Sequence, residues 1–476
     1  MAARRPPPRL GAEPPHLRRS YAALACLGLA ACAVGPDYRR PELAPPPAWR
    51  GADVTQQLDP SLTLAAWWER FEDPLLTALV ERAARANLDV RVATARVREA
   101  EALEGVAGAD RWPALGAAGE AVGGTGREPS EALGFLSLFW EVDLFGRIRR
   151  SVEAARADRD AAVDDRRAVL LAVVADVATT YIRLRGLERE RAAVRGNLAA
   201  QRETLDLTDA QARVGLASDL DVDRARALAA GTAAELPPLE ASVAAAEHRL
   251  AVLLGEPPAA LAAALRTGAP IPPAPAALVV GVPADLLRRR PDVSRAEREL
   301  AAATARIGAA EAELYPRLTL VGSVGLRSDD VAAMAAGSDF GSLGPGVEWP
   351  IFAGGRILAN VEAQGARAEQ ARARYEQAVL RALEEVESAL ARHAREQVRR
   401  RDLAAALEAQ REATELARRL HANGLAPFLE VLDAERELLA AESLLARSET
   451  SVATSLVELF AALGGGWERA EELALR

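Results

Sequence analysis

The sequence is short of most residues that carry chemistry. Of 476 residues, two are cysteine, two methionine, four histidine and only 4% aromatic, and all 59 cationic residues are arginine. Cys26 and Cys32 both lie near the N-terminus, so the body of the chain has no disulfide framework and no cysteine metal site. Met1 and Met334 cannot form a thioether track for soft metals. His248, His393 and His421 stand alone in charged helical sequence and read as solvated surface residues. Gly123-Gly124-Thr125-Gly126 has no following lysine, so it is a turn and not a phosphate loop. No nucleophile elbow or metal-ligand spacing occurs, and neither catalysis nor a cofactor is expected. Long apolar runs are missing too. Tyr21–Ala31 is the one candidate, and it is too short to cross a bilayer as a helix.

That short run has a different use. It follows Arg4, Arg5, Arg9, Arg18 and Arg19 and ends at Leu29-Ala30-Ala31-Cys32. A basic region, an apolar region and small residues before a cleavage point form a signal peptide, here residues 1–31. Leu-Ala-Ala-Cys resembles the lipobox of bacterial lipoproteins, in which the cysteine is acylated and becomes the mature N-terminus. Cys26 lacks the large aliphatic residue three positions before it. The resemblance makes Cys32 the lipidation site, and Ala33 behind it points to the outer membrane. Removing residues 1–31 takes away five arginines and Glu13, a net +4, which carries the formal charge from −9 to −13. That balance argues against a nucleic-acid binder.

What is present is a strand that turns at glycine into a very long helix, twice. Phe139 to Phe145 precedes Gly146, and Val347 to Phe352 precedes Gly354-Gly355. Leu136, Leu138, Trp140, Val142 and Leu144 share one strand face, opposite Ser137, Glu141 and Asp143, with Phe139. Such alternation is the mark of a barrel strand in lipid. After Gly146 the chain runs to Arg213 without proline. Leu170, Val177, Leu184, Leu198 and Leu205 recur at heptad spacing, with Arg191 interrupting, and Val173, Leu187 and Val194 fill positions three later. A helix of that extent is about 100 Å long at ~1.5 Å per residue.

The order then repeats. Asp89 matches Asp292 and Pro113 matches Pro316, both 203 residues apart. Phe145 and Phe352 are 207 apart; Gly215-Leu216-Ala217 and Leu254-Gly255 recur 209 residues on. The reading is a tandem duplication: an extended proline-rich segment (32–72), repeat 1 (73–258), a proline-rich crossover (259–282), repeat 2 (283–464) and a tail (465–476) without a legible signal. Helices are expected over about 73–110, 147–213, 219–254, 283–313, 356–422 and 428–463, and strands over 113–125, 133–145, 316–326 and 340–352. Trp67-Trp68 reads as an exposed aromatic pair used in packing. Four strands cannot close on themselves in lipid, so the chain must oligomerise.

Several stretches resemble the TolC-like outer-membrane factor family, in particular its NodT-type efflux lipoproteins. They are Cys32 to Tyr38, Phe139 to Arg150, Arg249 to Pro258, and above all Val282-Pro283-Ala284-Asp285-Leu286-Leu287-Arg288-Arg289-Arg290-Pro291-Asp292-Val293, continued by Ala310 to Pro316. The likeness runs from the lipobox to about Leu463. It implies a mainly α fold with membrane β. Tandem-duplicated long-helix hairpins would form a periplasmic α-barrel, and four strands per chain would contribute to a trimeric 12-stranded outer-membrane β-barrel. The implied function is the exit duct of a tripartite efflux pump. The implied partners are a periplasmic adaptor and an inner-membrane resistance-nodulation-division transporter. A protein-secretion exit channel and a non-conducting coiled-coil scaffold are the alternatives. The strands speak against a scaffold, and the lipobox and Val282–Val293 favour small-molecule efflux.

The same resemblance assigns site residues. Val214, Gly215 and Leu216, with Asn423, Gly424 and Leu425, fall at the far ends of the long helices and become adaptor-contact tips. Leu429, Asp433 and Arg436 are spaced by four and three, so they share a helix face; similar ducts close their periplasmic opening with this trio. The first copy does not repeat the pattern, since Arg224 stands where Asp433 would be.

Overall fold

A computed structural model describes residues 33–42, 46–47, 49, 64–122, 131–265, 269–273, 289–329 and 331–474. Cys32 and the helix start expected over 283–288 lie outside them. The elements, in order, are a 3-10 helix (Leu64–Phe71), α1 (Pro74–Ala86), α2 (Leu88–Ala109), β1 (Ala114–Val122), β2 (Glu131–Val142), α3 (Arg147–Arg213), α4 (Asp219–Ala234), α5 (Leu236–Leu253), α6 (Ala262–Leu265), α7 (Pro291–Ala312), β3 (Arg317–Ser328), a 3-10 helix (Val331–Ala336), β4 (Ser338–Glu348), α8 (Arg356–Ala422), α9 (Phe428–Ala462) and α10 (Trp467–Ala474). The chain divides into two compact units: residues 1–41, 98–160 and 297–374, and residues 42–97, 161–296 and 375–476.

The first unit holds a four-stranded antiparallel sheet in the order β1-β2-β3-β4. Each hairpin comes from one repeat, and β2 joins β3 across the repeats, from Val142 opposite Leu318 to Ala132 opposite Ser328. Register sorts the faces. Leu115, Leu136, Leu138, Trp140, Val142, Leu318, Leu320, Val324, Leu343 and Val347 share one side. Ser137, Glu141, Thr319, Ser323 and Ser342 share the other with Phe135, Phe139, Val321 and Phe340, so that face is mixed, and on it the Ser323 and Ser342 hydroxyls meet at 2.9 Å. At the foot of β2, Glu141 takes both Arg147 guanidinium nitrogens at 2.8–2.9 Å. Asp143 accepts from the Ile148 and Arg149 backbone amides at 3.2 and 2.8 Å, capping α3. Gly146, at φ +87°, makes the turn.

The N-terminal segment is part of this unit. The Val34 amide donates to the Phe145 carbonyl at 3.1 Å. Buried Arg150 donates to the carbonyls of Val34 and Gly35 and pairs with Asp37 at 2.7 Å. Tyr38 packs on a small core of Ala157, Ala301 and Ala302.

In the second unit the heptad seam is buried: Leu170, Val177 and Leu184 have no exposed surface. Three expectations need correction here, and the unread tail proves to be ordered into a helix. Trp67 and Trp68 are fully buried, not exposed; Trp67 stacks on Phe460 at 5.3 Å and donates to the Gly465 carbonyl. The helix expected over 73–110 breaks at Asn87, whose amide nitrogen bonds the Leu253 carbonyl while its oxygen caps α2 through the Asp89 and Val90 amides. The helix expected over 219–254 breaks at Glu235, ahead of Pro237-Pro238. The tail forms α10: Trp467 lies under the Arg167 guanidinium at 4.7 Å, and Glu471 pairs with Arg166 and Arg167. Tyr181, which donates to Asp73 at 2.7 Å, has its phenol pushed up to about 12 by burial.

One repeat landmark also moves. Ala114 lies opposite Phe139 and Arg317 opposite Glu348, offsets of 203 and 209. Trp140 donates to the Arg111 carbonyl and Trp349 to that of Leu314, with the same two offsets. Phe145 and Phe352, 207 apart in sequence, are therefore not equivalent: Phe352 occupies the place of Asp143. Accordingly β2 ends at Val142, short of the expected Phe145, and β4 ends at Glu348, short of Phe352.

Candidate functional site: the helix tips and the exposed face of α9

Both long helices stop in the same way. The Leu216 amide reaches back to the Gln211 carbonyl at 2.9 Å around Gly215, whose φ is +77°. The Leu425 amide reaches the Leu420 carbonyl at 2.9 Å around Gly424, at φ +71°. These six-to-one bonds around a left-handed glycine satisfy the last helical carbonyls. Asn423 adds a side-chain bond to the Arg419 carbonyl at 2.7 Å. Val214, Leu216 and Leu425 are left 70–79% exposed at the turns. The helices that follow start differently. Ser218 and Asp221 form a capping box on α4, whereas Pro427 caps α9 without a side-chain bond.

α9 is two-faced at its start. Phe428, Val431 and Leu432 are buried against Ala225, with Leu205, Leu228 and Ala417 packed around them. Leu429, Asp433 and Arg436 face solvent together, and Arg436 bonds Asp433 at 3.2 Å with both side chains more than half exposed. Arg436 also reaches Glu437 at 3.6 Å. The structure thus brings the trio onto one open face. In the first copy, Arg224 and Asp221 stand only 3.9 Å apart.

Sequence reasoning missed the group behind this face. Glu435 is 1% exposed; its Oε1 accepts from Arg418 Nε and Nη2 at 3.2 and 3.0 Å and from the Thr204 hydroxyl at 3.1 Å. The signal was there: Glu435 continues the Phe428, Val431/Leu432, Leu439 stripe, so it is a charge in a seam. Thr204, Arg418, His421 and Phe428 also line an open groove of about 380 Å³ between α3, α8 and α9. His393 departs from expectation as well. It is 3% exposed, with Nδ1 2.9 Å from the Ser455 hydroxyl and Nε2 2.7 Å from the Gln397 side-chain amide. Burial pushes its imidazole below the ordinary 6.5.

Among the described residues no helix is long and apolar enough to cross a membrane. An amphipathic open sheet that feeds two 67-residue helices, each ending in a tight turn, defines an outer-membrane channel of the long-helix kind. Comparison with known proteins agrees. The model of the outer membrane efflux protein family matches residues 79–256 and 282–465. Nodulation protein T of Rhizobium leguminosarum bv. trifolii is 35% identical over 451 residues, covering 92% of this chain and 95% of the relative. The toluene efflux pump outer membrane protein TtgF of Pseudomonas putida is 32% identical over 483 residues, covering 95% and 98%. Among solved structures, the outer-membrane channel OprN superposes with a TM-score of 0.86 at 37% identity, over 92% of this chain and all of that one. The chain belongs to the outer membrane efflux protein family. Its role is that of an outer-membrane exit duct.

Proposed function

We propose that three copies of this chain close a 12-stranded barrel, and that the assembly exports small toxic compounds delivered by a periplasmic adaptor and an inner-membrane transporter of the resistance-nodulation-division type. The observation that carries this is the sheet, which has one apolar face and two unpaired edges, β1 and β4. Open edges in hydrocarbon cost several kcal/mol per unmet group, so further copies must cover them. The likeness to a toluene efflux pump component supports apolar cargo. Cys32 is the lipid-bearing residue in this reading. In sequence it directly precedes Ala33, and Arg150 holds Val34 and Gly35 at the foot of the sheet.

Leu429, Asp433 and Arg436 act as the periplasmic gate, and the Gly215 and Gly424 turns receive the adaptor. An exposed i,i+3 pair contributes about 0–1 kcal/mol. A ring of three such weak contacts suits a gate that a docking partner must open. Deleting the gene should raise susceptibility to solvents and hydrophobic antibiotics, and the wild-type chain should restore resistance. Unchanged susceptibility with loss of a secreted protein would assign the duct to protein export instead. Intact-mass analysis showing an unmodified Cys32 would remove the anchor from the account.

A further inference from the structure

We propose that the foot of β4 and the start of α8 form an apolar lock that seats the foot of β1 from a second copy of this chain. The proposal rests on the oligomeric reading above and says which residues make each joint.

The argument comes from the internal repeat. Within one chain, the joint between repeats is β2 against β3, with Val142 opposite Leu318 at its foot. Here the strand-to-helix turn is fastened within the same chain by polar bonds. Glu141 holds Arg147, and Asp143 holds Arg149, its Nε at 3.3 Å. The 209-residue offset identifies the residues at the same places in the second copy. Glu141, Val142, Asp143 and Arg149 become Pro350, Ile351, Phe352 and Leu358. The polar fastening has been replaced by apolar side chains. Ile351, Phe352 and Leu358 are 84%, 90% and 64% exposed. Evolution of a lone chain gives no reason to trade an ion pair for solvent-exposed phenylalanine and leucine, and an apolar cluster of this kind marks a contact.

The same repeat says what covers it. In the ring of strands, β4 must pair with β1 of the next copy as β2 pairs with β3 in this one. Both run antiparallel, so the feet of the two strands meet. Carrying the β2–β3 register over by 209 and 203 residues places Ile351 opposite Leu115 of the second copy, the last pair of that register, and one residue further on Phe352 falls level with Ala114. β4 stops at Glu348, three residues before Ile351, the counterpart of the end of β2. Those three residues complete the strand when the partner arrives. The receiving side is ready. Leu115 and Trp112 are 80% and 75% exposed, every residue of β1 is open, and Ala114 is small enough to admit a ring opposite it. Trp112, Pro113 and Ala114 also wall a groove of about 400 Å³ that continues to Phe139 and Trp140. Trp112 lies on the diagonal from Phe352, a separation of roughly 7–8 Å that aromatic rings span.

In this reading Cys26 leaves with the signal peptide and the Cys32 thiol is blocked by its lipid, so engineered pairs are read in a background without a free native thiol. Full-length protein carrying Ala114→Cys and Phe352→Cys, treated in outer membranes with a short bifunctional thiol reagent, should give covalent dimers and trimers on a denaturing gel. Each single variant should remain monomeric, as should the off-register pair Glu120→Cys with Phe352→Cys. Phe352→Asp, which restores the residue of the first copy, should lower the temperature at which the trimer dissociates in detergent, whereas Phe352→Leu should hold it near wild type. A native trimer whose Ala114/Phe352 pair stays unlinked, or links no better than the off-register pair, overturns the lock while leaving the trimer standing. Absence of any trimer overturns both.

Discussion

Arg418 of α8 grips Glu435 of α9 with two donors, at 3.2 and 3.0 Å, directly behind the face that carries Asp433 and Arg436. Thr204 of α3 completes the contact from the other repeat. The gate residues therefore ride on a helix tied to both long helices by one buried carboxylate. Glu435→Gln should destabilise the protein by about 1–3 kcal/mol, towards the low end because Arg418 is about a third exposed. Thermal unfolding would show this, and a passive-leak assay with a large antibiotic should show increased entry. Unchanged unfolding and leak would mean that the tie is incidental.

The two tip glycines have open space around them, so their role is conformational. Gly215→Asp and Gly424→Asp put a side chain into a left-handed turn, at a cost of about 1 kcal/mol, and place new charge on the exposed tip. Both variants should lose adaptor cross-linking and resistance while still forming trimers. Gly→Asn at either site, which suits the left-handed conformation, should retain more function. Full resistance in the aspartate variants would move the adaptor contact away from the turns.

His393 gives a pH prediction. Burial holds its folded-state value below the unfolded 6.5. Above about pH 6.5 both states are neutral and the packed imidazole contributes fully; as pH falls below that, only the unfolded state gains the proton, and stability is lost until the folded value is passed. The ring's hydrogen-bond partners include Ser455 and Gln397, and a bond to the Val452 backbone opposes the shift without cancelling it. The wild-type melting temperature should fall between pH 7 and pH 5 more steeply than that of His393→Gln. Parallel curves would show that carboxylates elsewhere set the acid limb.

Local signals made much of the fold legible. Gly146, Gly215, Gly355 and Gly424 punctuate the chain, so Arg147–Arg213 and Arg356–Ala422 could be read to the residue. Period-two alternation sorted the sheet faces. What escaped depended on partners far away in sequence. The break at Asn87 needs the carbonyl of Leu253, burial of Trp67 needs Phe460, and burial of His393 needs Ser455. α10 is held by Arg166, Arg167 and Arg289, none of which marks the tail as ordered. The match of Phe145 to Phe352 misled because two aromatic residues two positions out of register look alike in sequence. At the gate, the exposed trio was readable from its spacing, but the buried Glu435 behind it was passed over as one more charge on a charged helix.

Planar-bilayer recording of the purified, full-length protein tests the central claim most directly. The account predicts discrete channels of small conductance for the wild type. It also predicts larger single-channel conductance for Asp433→Ala with Arg436→Ala, because that double variant removes the 3.2 Å pair on the open face of α9 without touching its buried side. Silent bilayers from correctly assembled protein, with the double variant as silent as the parent, would contradict the reading of this chain as a conducting duct.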